Sequence, residues 1–304
     1  MSIFVCGATG TQGFALTTHL LARNVKVRSI SRDLSTSRSK AALASGVILS
    51  QGDFNDESAL HAAMAGCTGL FLNLVPDISA SGQELNQARR ILSVAKQAGI
   101  KHVVYSSGLV THPERRKYWD ETHPVAKMIR SKNAVEEAVR GAGFEAYTIL
   151  RPGDFMSNYV APRVCAMYPG LVERGELVTA LDSRTVLPVV DPDDIGRAGA
   201  AVFMQPGRFN GREIALVGEM MTVEDMLREL SSATGRELTV HYMTNGEVEA
   251  QRTNPVVGAQ LMMRDMSDEV DMQAVRAWGV ELGELGGFAA FLHRDGGDLL
   301  SPNP

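Results

Sequence analysis

The stretch Ile3-Phe4-Val5-Cys6-Gly7-Ala8-Thr9-Gly10-Thr11-Gln12-Gly13 decides the fold of this chain. An apolar run of strand length stops at the first of three glycines spaced three apart, Gly7, Gly10 and Gly13. Beyond them Phe14, Leu16, Leu20 and Leu21 recur at helical spacing, and Val25-Lys26-Val27-Arg28-Ser29-Ile30 then alternates as a strand does. Strand, glycine turn, helix and strand make one crossover unit. Glycines permit a tight turn and close backbone approach, while a helix start offers N–H groups without intrahelical partners, so the unit is shaped to hold a pyrophosphate. The expected dinucleotide contacts are Gly7, Thr9, Gly10, Thr11, Gln12 and Gly13.

The same alternation continues outward. Periodicity predicts helices over 38–45, 56–65, a long one through Ala88, Ile91, Leu92, Ala95 and Ala98, and another over 125–140. Between them lie strands at 47–50, 69–74, 102–106 and 146–150, which makes six with the first two. Helices between successive strands require crossovers and hence a mostly parallel sheet covered on both faces. The expected fold class is α/β, a Rossmann-type doubly wound parallel sheet over residues 1–151 with a smaller mixed α/β C-terminal lobe over 152–304. In that lobe the pattern gives helices at 192–203, 222–234 and 246–263 and strands near 213–217 and 238–243. Residues 186–203 have an alternative place, returning to extend the first domain.

Composition bounds the function. The 304 residues are 44% hydrophobic and 21% charged, enough for a substantial core, and a net charge of −5 argues against general attraction to nucleic acid. Glu114-Arg115-Arg116-Lys117 is the densest basic patch, and its mixed signs beside Pro113 read as an exposed loop. No apolar run approaches the ~20 residues of a membrane span, and Met1-Ser2 leads straight into the first strand, so a cytoplasmic location is expected, with the nucleus as an alternative. Cys6, Cys67 and Cys165 are far apart with no paired metal spacing, and no metal is expected. The tail 295–304 has the composition of a frayed end.

Cofactor choice is read at the end of the second strand. An acidic residue about 20 positions beyond the glycines suits the 2′-hydroxyl of NAD, whereas an Arg suits the 2′-phosphate of NADP. Here Ile30-Ser31-Arg32 stands, with Arg38 and Lys40 following and Asp33 adjacent, and the cation favours NADP(H).

At this point the chain resembles the NmrA-like proteins, atypical members of the short-chain dehydrogenase/reductase superfamily. The resemblance rests on Gly7-Ala-Thr-Gly-Thr-Gln-Gly13, Ser29-Ile-Ser-Arg32, Gln51-Gly-Asp-Phe54, Val103-Val-Tyr-Ser-Ser-Gly108, Ser131-Lys-Asn-Ala-Val-Glu136 and Tyr147-Thr-Ile-Leu-Arg-Pro-Gly153, with Phe155 and Asn158. It covers about residues 1–240. The family likeness implies that Asp53 and Phe54 lie near the adenine, that Asn73, Leu74 and Val75 line the cleft with Ser107, and that Pro152, Gly153, Asp154 and Phe155 approach the nicotinamide. Turn chemistry alone is the competing account of Asp53 and Pro152.

The chemistry departs from the superfamily. Its usual Tyr-x-x-x-Lys puts phenol and ammonium on one helix face, the Lys lowering the Tyr pKa for proton exchange. Lys132 matches the Lys, but Met128 stands four residues earlier. Lys132 is therefore expected to hold the nicotinamide ribose, or else to be a surface cation beside Glu136. His123, four before Lys127 and followed by Pro124 at a helix start, is a second candidate catalytic group. Tyr105 ends a strand and points either to the sheet edge or into the core, while Tyr118 and Tyr159 fall in loops. Asp191-Pro-Asp-Asp194 reads as a helix start, since Asp caps free N–H groups there. Met220-Met221 and Met262-Met263 suit a core or an adaptable pocket. Two functions follow: an NADP-dependent reductase of a small imine, enone or carbonyl compound, and a catalytically silent NADP(H) sensor acting on a protein partner.

Overall fold

Seven parallel strands form the main sheet of the computed structural model, which describes residues 1–77, 81–294 and 299–301. The chain runs β1 (Ser2–Val5), α1 (Thr11–Leu21), β2 (Lys26–Ser31), α2 (Ser37–Ala44), β3 (Ile48–Gln51), α3 (Glu57–Met64), β4 (Gly69–Leu72), α4 (Gln83–Gln97), β5 (His102–Ser106), α5 (Pro124–Gly141) and β6 (Ala146–Pro152). It then continues through β7 (Asp154–Phe155), α6 (Arg163–Met167), α7 (Pro169–Arg174), β8 (Glu176–Thr179), β9 (Leu187–Val190), α8 (Pro192–Met204), α9 (Pro206–Phe209) and β10 (Arg212–Leu216). The order in the sheet is β10-β6-β5-β4-β1-β2-β3. From β1 the chain moves outward to β3, then crosses back to β4 on the other side. The loops leaving β1 and β4 therefore face each other at the reversal point, where open parallel sheets make their crevice.

One face of the sheet is filled by Leu60, Met64, Ile91, Val135 and Val139 from α3, α4 and α5. On the opposite face Leu16 and Leu20 of α1 meet Ile195, Ala198 and Phe203 of α8. The two helices touch through Gly196, where a Cβ would lie 2.5 Å from the Ala15 carbonyl carbon. Residues 186–203 thus divide: β9 pairs with β7 and with β11 (Glu219–Met221), while α8 covers the main sheet. The strand expected near 213–217 is the seventh strand of that sheet, paired with β6 from Arg212↔Thr148 to Leu216↔Pro152.

The remaining elements are α10 (Val223–Thr234), β12 (Thr239–Tyr242), which pairs with β8, α11 (Asn245–Ala250), α12 (Pro255–Met263), α13 (Met272–Leu282) and α14 (Phe288–Arg294). The single helix expected over 246–263 is two helices. Pro255 lacks an N–H and opens α12, and the Asn254 side chain caps it by accepting from the Val256 N–H at 3.0 Å. Helices α13 and α14 were not expected from periodicity. Of the tail read as frayed, 295–298 and 302–304 lie outside the described residues. Leu299 and Leu300 are buried in the lobe's core, and the Leu299 carbonyl accepts the Ala161 N–H at 2.7 Å.

Candidate functional site

Two cavities meet at the reversal point, one of about 760 Å³ toward β2 and β3 and one of about 580 Å³ toward α5 and α12. Gly7, Gly10, Phe54 and Val75 line both. Gly7 has a φ of +68°, a conformation that favours glycine. Gly13 lies behind the wall: a Cβ there would come within 2.1 Å of the Gly7 carbonyl oxygen, so the helix start can pack this close only without one. Gly10 is the N-cap of α1, and no side chain satisfies the first-turn amides. Those donors are the groups a pyrophosphate would accept from. Gln12 braces the turn from inside, accepting the Ser106 hydroxyl at 2.6 Å and reaching Asn73 at 3.5 Å.

The larger cavity carries Thr9, Arg32, Arg38 and Asp53. Among the described residues neither guanidinium has an ion-pair partner in the fold, which leaves both available to an anion. Asp33 does not compete, because its carboxylate is folded back onto the Ser35 N–H and hydroxyl, each at 2.7 Å. Those bonds hold it below the usual carboxylate range. Asp53 makes a comparable turn, accepting the Asn55 N–H at 2.7 Å.

The smaller cavity carries Thr11, Asn73, Leu74, Ser107, Lys132, Pro152, Gly153 and Phe155 together. Its far wall is apolar, with Leu109, Met128, Ile129, Ala259, Met262 and Met263. Gly153 is squeezed under Pro188, whose carbonyl oxygen would lie 2.3 Å from a Cβ. Lys132 points its ammonium at Glu84 of α4 (Nζ to Oε1, 3.3 Å), a fully buried carboxylate that also accepts the Asp77 N–H. It does not pair with Glu136. That residue is held by Arg151 and Arg140, which bring its carboxyl below the ordinary range although burial pushes it up.

His123 is not on the wall of either cavity. Its Nδ1 accepts the Val125 N–H at 3.2 Å and so caps α5, while the ring fills the notch at Gly258, where a Cβ would be 1.9 Å from Nε2. This geometry corrects the expectation of a proton donor: the imidazole is a capping and packing group. Tyr105 is fully buried in the core below the sheet edge. Tyr118 is clasped between Lys117 and Arg264. Arg116, expected in an exposed loop, is instead buried against Asp265 and ties the 109–123 segment to the lobe. Asp191 caps α8 and meets Arg294, Asp193 meets His19, and Asp194 meets Arg197 and the Gly286 N–H.

Sequence reasoning missed the partner of Lys132, since Glu84 is 48 residues away, and placed Asp154 at the cavity without assigning it chemistry. Asp154 accepts the Tyr159 hydroxyl and the Asn158 amide, each at 2.8 Å. Burial pushes its carboxyl up to about 6 against these bonds.

Comparison with known proteins agrees with this architecture. Residues 1–290 match the NmrA-like family. An NmrA-like family domain-containing oxidoreductase, himF of Aspergillus japonicus, is 29% identical over 248 residues, 77% of this chain and 73% of that protein. Quinone oxidoreductase 2 of Escherichia coli is 26% identical over 275 residues, covering 90% and 87%. The crystal structure of NmrA, a negative transcriptional regulator, in complex with NADP superposes with a TM-score of 0.76 at 23% identity, over 97% of this chain and 95% of that one.

Proposed function

The chain belongs to the NmrA-like family, and on that premise we propose that it is an NADP(H)-dependent reductase of a small, largely apolar organic substrate. The observation that carries this reading is the second cavity. A dinucleotide held by Arg32, Arg38 and the glycine turn would extend into the smaller cavity, whose far wall is apolar and methionine-rich. Oxidoreductase relatives, one of them a quinone oxidoreductase, favour the same reading. The apolar, methionine-rich far wall of the smaller cavity favours an enzyme that binds an acceptor over a silent redox sensor.

The residues present fit the cofactor. Arg32 and Arg38 would hold the 2′-phosphate by charge-assisted hydrogen bonds, Asp53 and Phe54 would flank the adenine, and the uncapped start of α1 with Thr9, Thr11 and Gln12 would take the pyrophosphate. Lys132, held in place by Glu84, would bind the ribose hydroxyls, and Asn73, Leu74, Val75, Ser107, Pro152, Gly153 and Phe155 would shape the nicotinamide end. When bound, NADPH supplies hydride. The apolar wall excludes water and presses a flat conjugated acceptor toward that end, with methionine side chains adapting to its outline.

Ala259→Trp tests the assignment, because Ala259 stands on the apolar wall of the smaller cavity and is not among the residues expected at the cofactor. NADPH oxidation by menadione should fall by at least ~10-fold, while NADPH binding measured by fluorescence changes less than ~3-fold, since filling a pocket removes substrate contacts alone. Undiminished turnover would place the acceptor elsewhere.

A further inference from the structure

We propose that Asp154 is the proton donor of the reduction, the catalytic residue that replaces the absent tyrosine. The inference rests on the reductase reading above. Met128 leaves no acid on α5 where the superfamily places one, and His123 is turned into the helix cap. Asp154 stands on the same cavity wall as Lys132 and Pro152, and its position is rigid: β7 pairs with β9 at Asp154↔Val189, directly after Gly153 is wedged against Pro188.

Its surroundings suit a reversible acid. Tyr159 and Asn158 donate to its two oxygens, and Tyr159, in the lobe's core, stacks on Tyr168 with ring centroids 5.5 Å apart. Both phenols are buried and pushed above their ordinary range, so they stay neutral around pH 7. The other charged groups on the wall are Arg116, paired with Asp265, Lys132, paired with Glu84, and the exposed Arg163. Burial holds the acid near 6, close to the pH at which a donor works best.

The step balances as follows. A conjugated carbonyl acceptor gains hydride at one end, its π electron pair moves onto the carbonyl oxygen, and that oxygen takes the proton as the O–H bond of Asp154 breaks. The acceptor is reduced by two electrons and NADPH is oxidised by two. The carboxylate left behind keeps the Tyr159 and Asn158 hydrogen bonds and is reprotonated from water.

A cationic triarylmethane dye needs only hydride at carbon, so it serves as the internal control. In Asp154→Asn the ratio of menadione turnover to malachite green turnover should fall on the order of 100-fold. In the wild type, kcat/KM for menadione should decline above a pH of about 6 while that for the dye does not. Difference infrared spectroscopy of the wild type against Asp154→Asn, which needs no turnover, should show a carboxylic acid band titrating near 6. An unchanged ratio, or a band titrating in the ordinary carboxylate range, overturns the proposal. A wild type that reduces neither acceptor overturns the reductase reading, and the donor role falls with it.

Discussion

Lys132→Met should destabilise the fold by about 3 kcal/mol, and the reason is the partner it abandons. The Lys132 ammonium lies 3.3 Å from Glu84, at side-chain exposures of 16% and 0%. At an effective dielectric of 20 that separation corresponds to about 5 kcal/mol of attraction, from which the desolvation of both ions must be subtracted. Removing one member of a buried pair leaves the other charge uncompensated, at a typical cost of about 3–5 kcal/mol. We take the lower end because Glu84 still accepts the Asp77 N–H at 3.2 Å. The pair is asymmetric: Glu84 is sealed, whereas Lys132 reaches the cavity and its water. Glu84→Gln should therefore cost only about 1 kcal/mol, and the double variant should recover most of the loss of Lys132→Met. Thermal melts at fixed pH read this directly, with Lys132→Met lower by roughly 6 °C at about 2 °C per kcal/mol for a chain of this size. If Glu84→Gln proves the more damaging change, or the double variant melts no higher than Lys132→Met, the burial argument is refuted.

Arg32→Glu together with Arg38→Glu should weaken NADPH binding by roughly 10- to 100-fold and NADH binding by only a few-fold, as titration of each coenzyme will read, since charged hydrogen bonds to the phosphate are worth about 1.5–3 kcal/mol. Equal losses would defeat the NADP assignment. The stability of the protein between pH 4 and 6.5 should reflect two opposed groups. Burial lowers His102 to about 4, so its contribution is lost as pH falls from 6.5; burial raises Asp154 to about 6, so its contribution is gained as pH falls through 6. Each amounts to about 3 kcal/mol at full extent, so denaturation curves should show Asp154→Asn more stable than the wild type above pH 6 and converging with it toward pH 4, and His102→Asn equal to the wild type at pH 7 and more stable than it in acid.

What the sequence makes legible is whatever neighbours in the chain determine. Gly7, Gly10 and Gly13 act within seven residues, and the alternation of β1 to β6 with their helices is periodic, so the sheet and the cofactor crevice could be read directly. Pro255 also carried a readable signal, a helix start, which the longer apolar pattern through Met263 obscured. The Lys132–Glu84 pair was not readable, because its members meet only when α4 and α5 lie side by side. Nor does an Asp after a glycine announce that burial will raise its carboxyl. Strand β10 has the composition of any short lobe strand, and its place beside β6 is set by the long excursion through β7, β9 and α8.

That excursion explains why residues from the second half finish the site. β10 holds the end of β6 through Leu216↔Pro152, and the Leu216 carbonyl accepts the Gly153 N–H at 3.0 Å. One residue later the chain switches sheets, and Asp154 and Phe155 pair with Val189 and Val190 of β9. The segment 152–155 on the smaller cavity's wall is thus gripped by strands that come 35 and 64 residues after it, and the sheet switch falls at Gly153 because Pro188 leaves no room for a side chain there. A substitution at β9 or β10 that loosens this grip would move Pro152, Phe155 and the Asp154 carboxyl together. If the proposed reduction takes place in this cavity, the lobe is therefore part of what orients the reacting groups, and its sequence would alter the acceptor's setting while the glycine loop stays as it is.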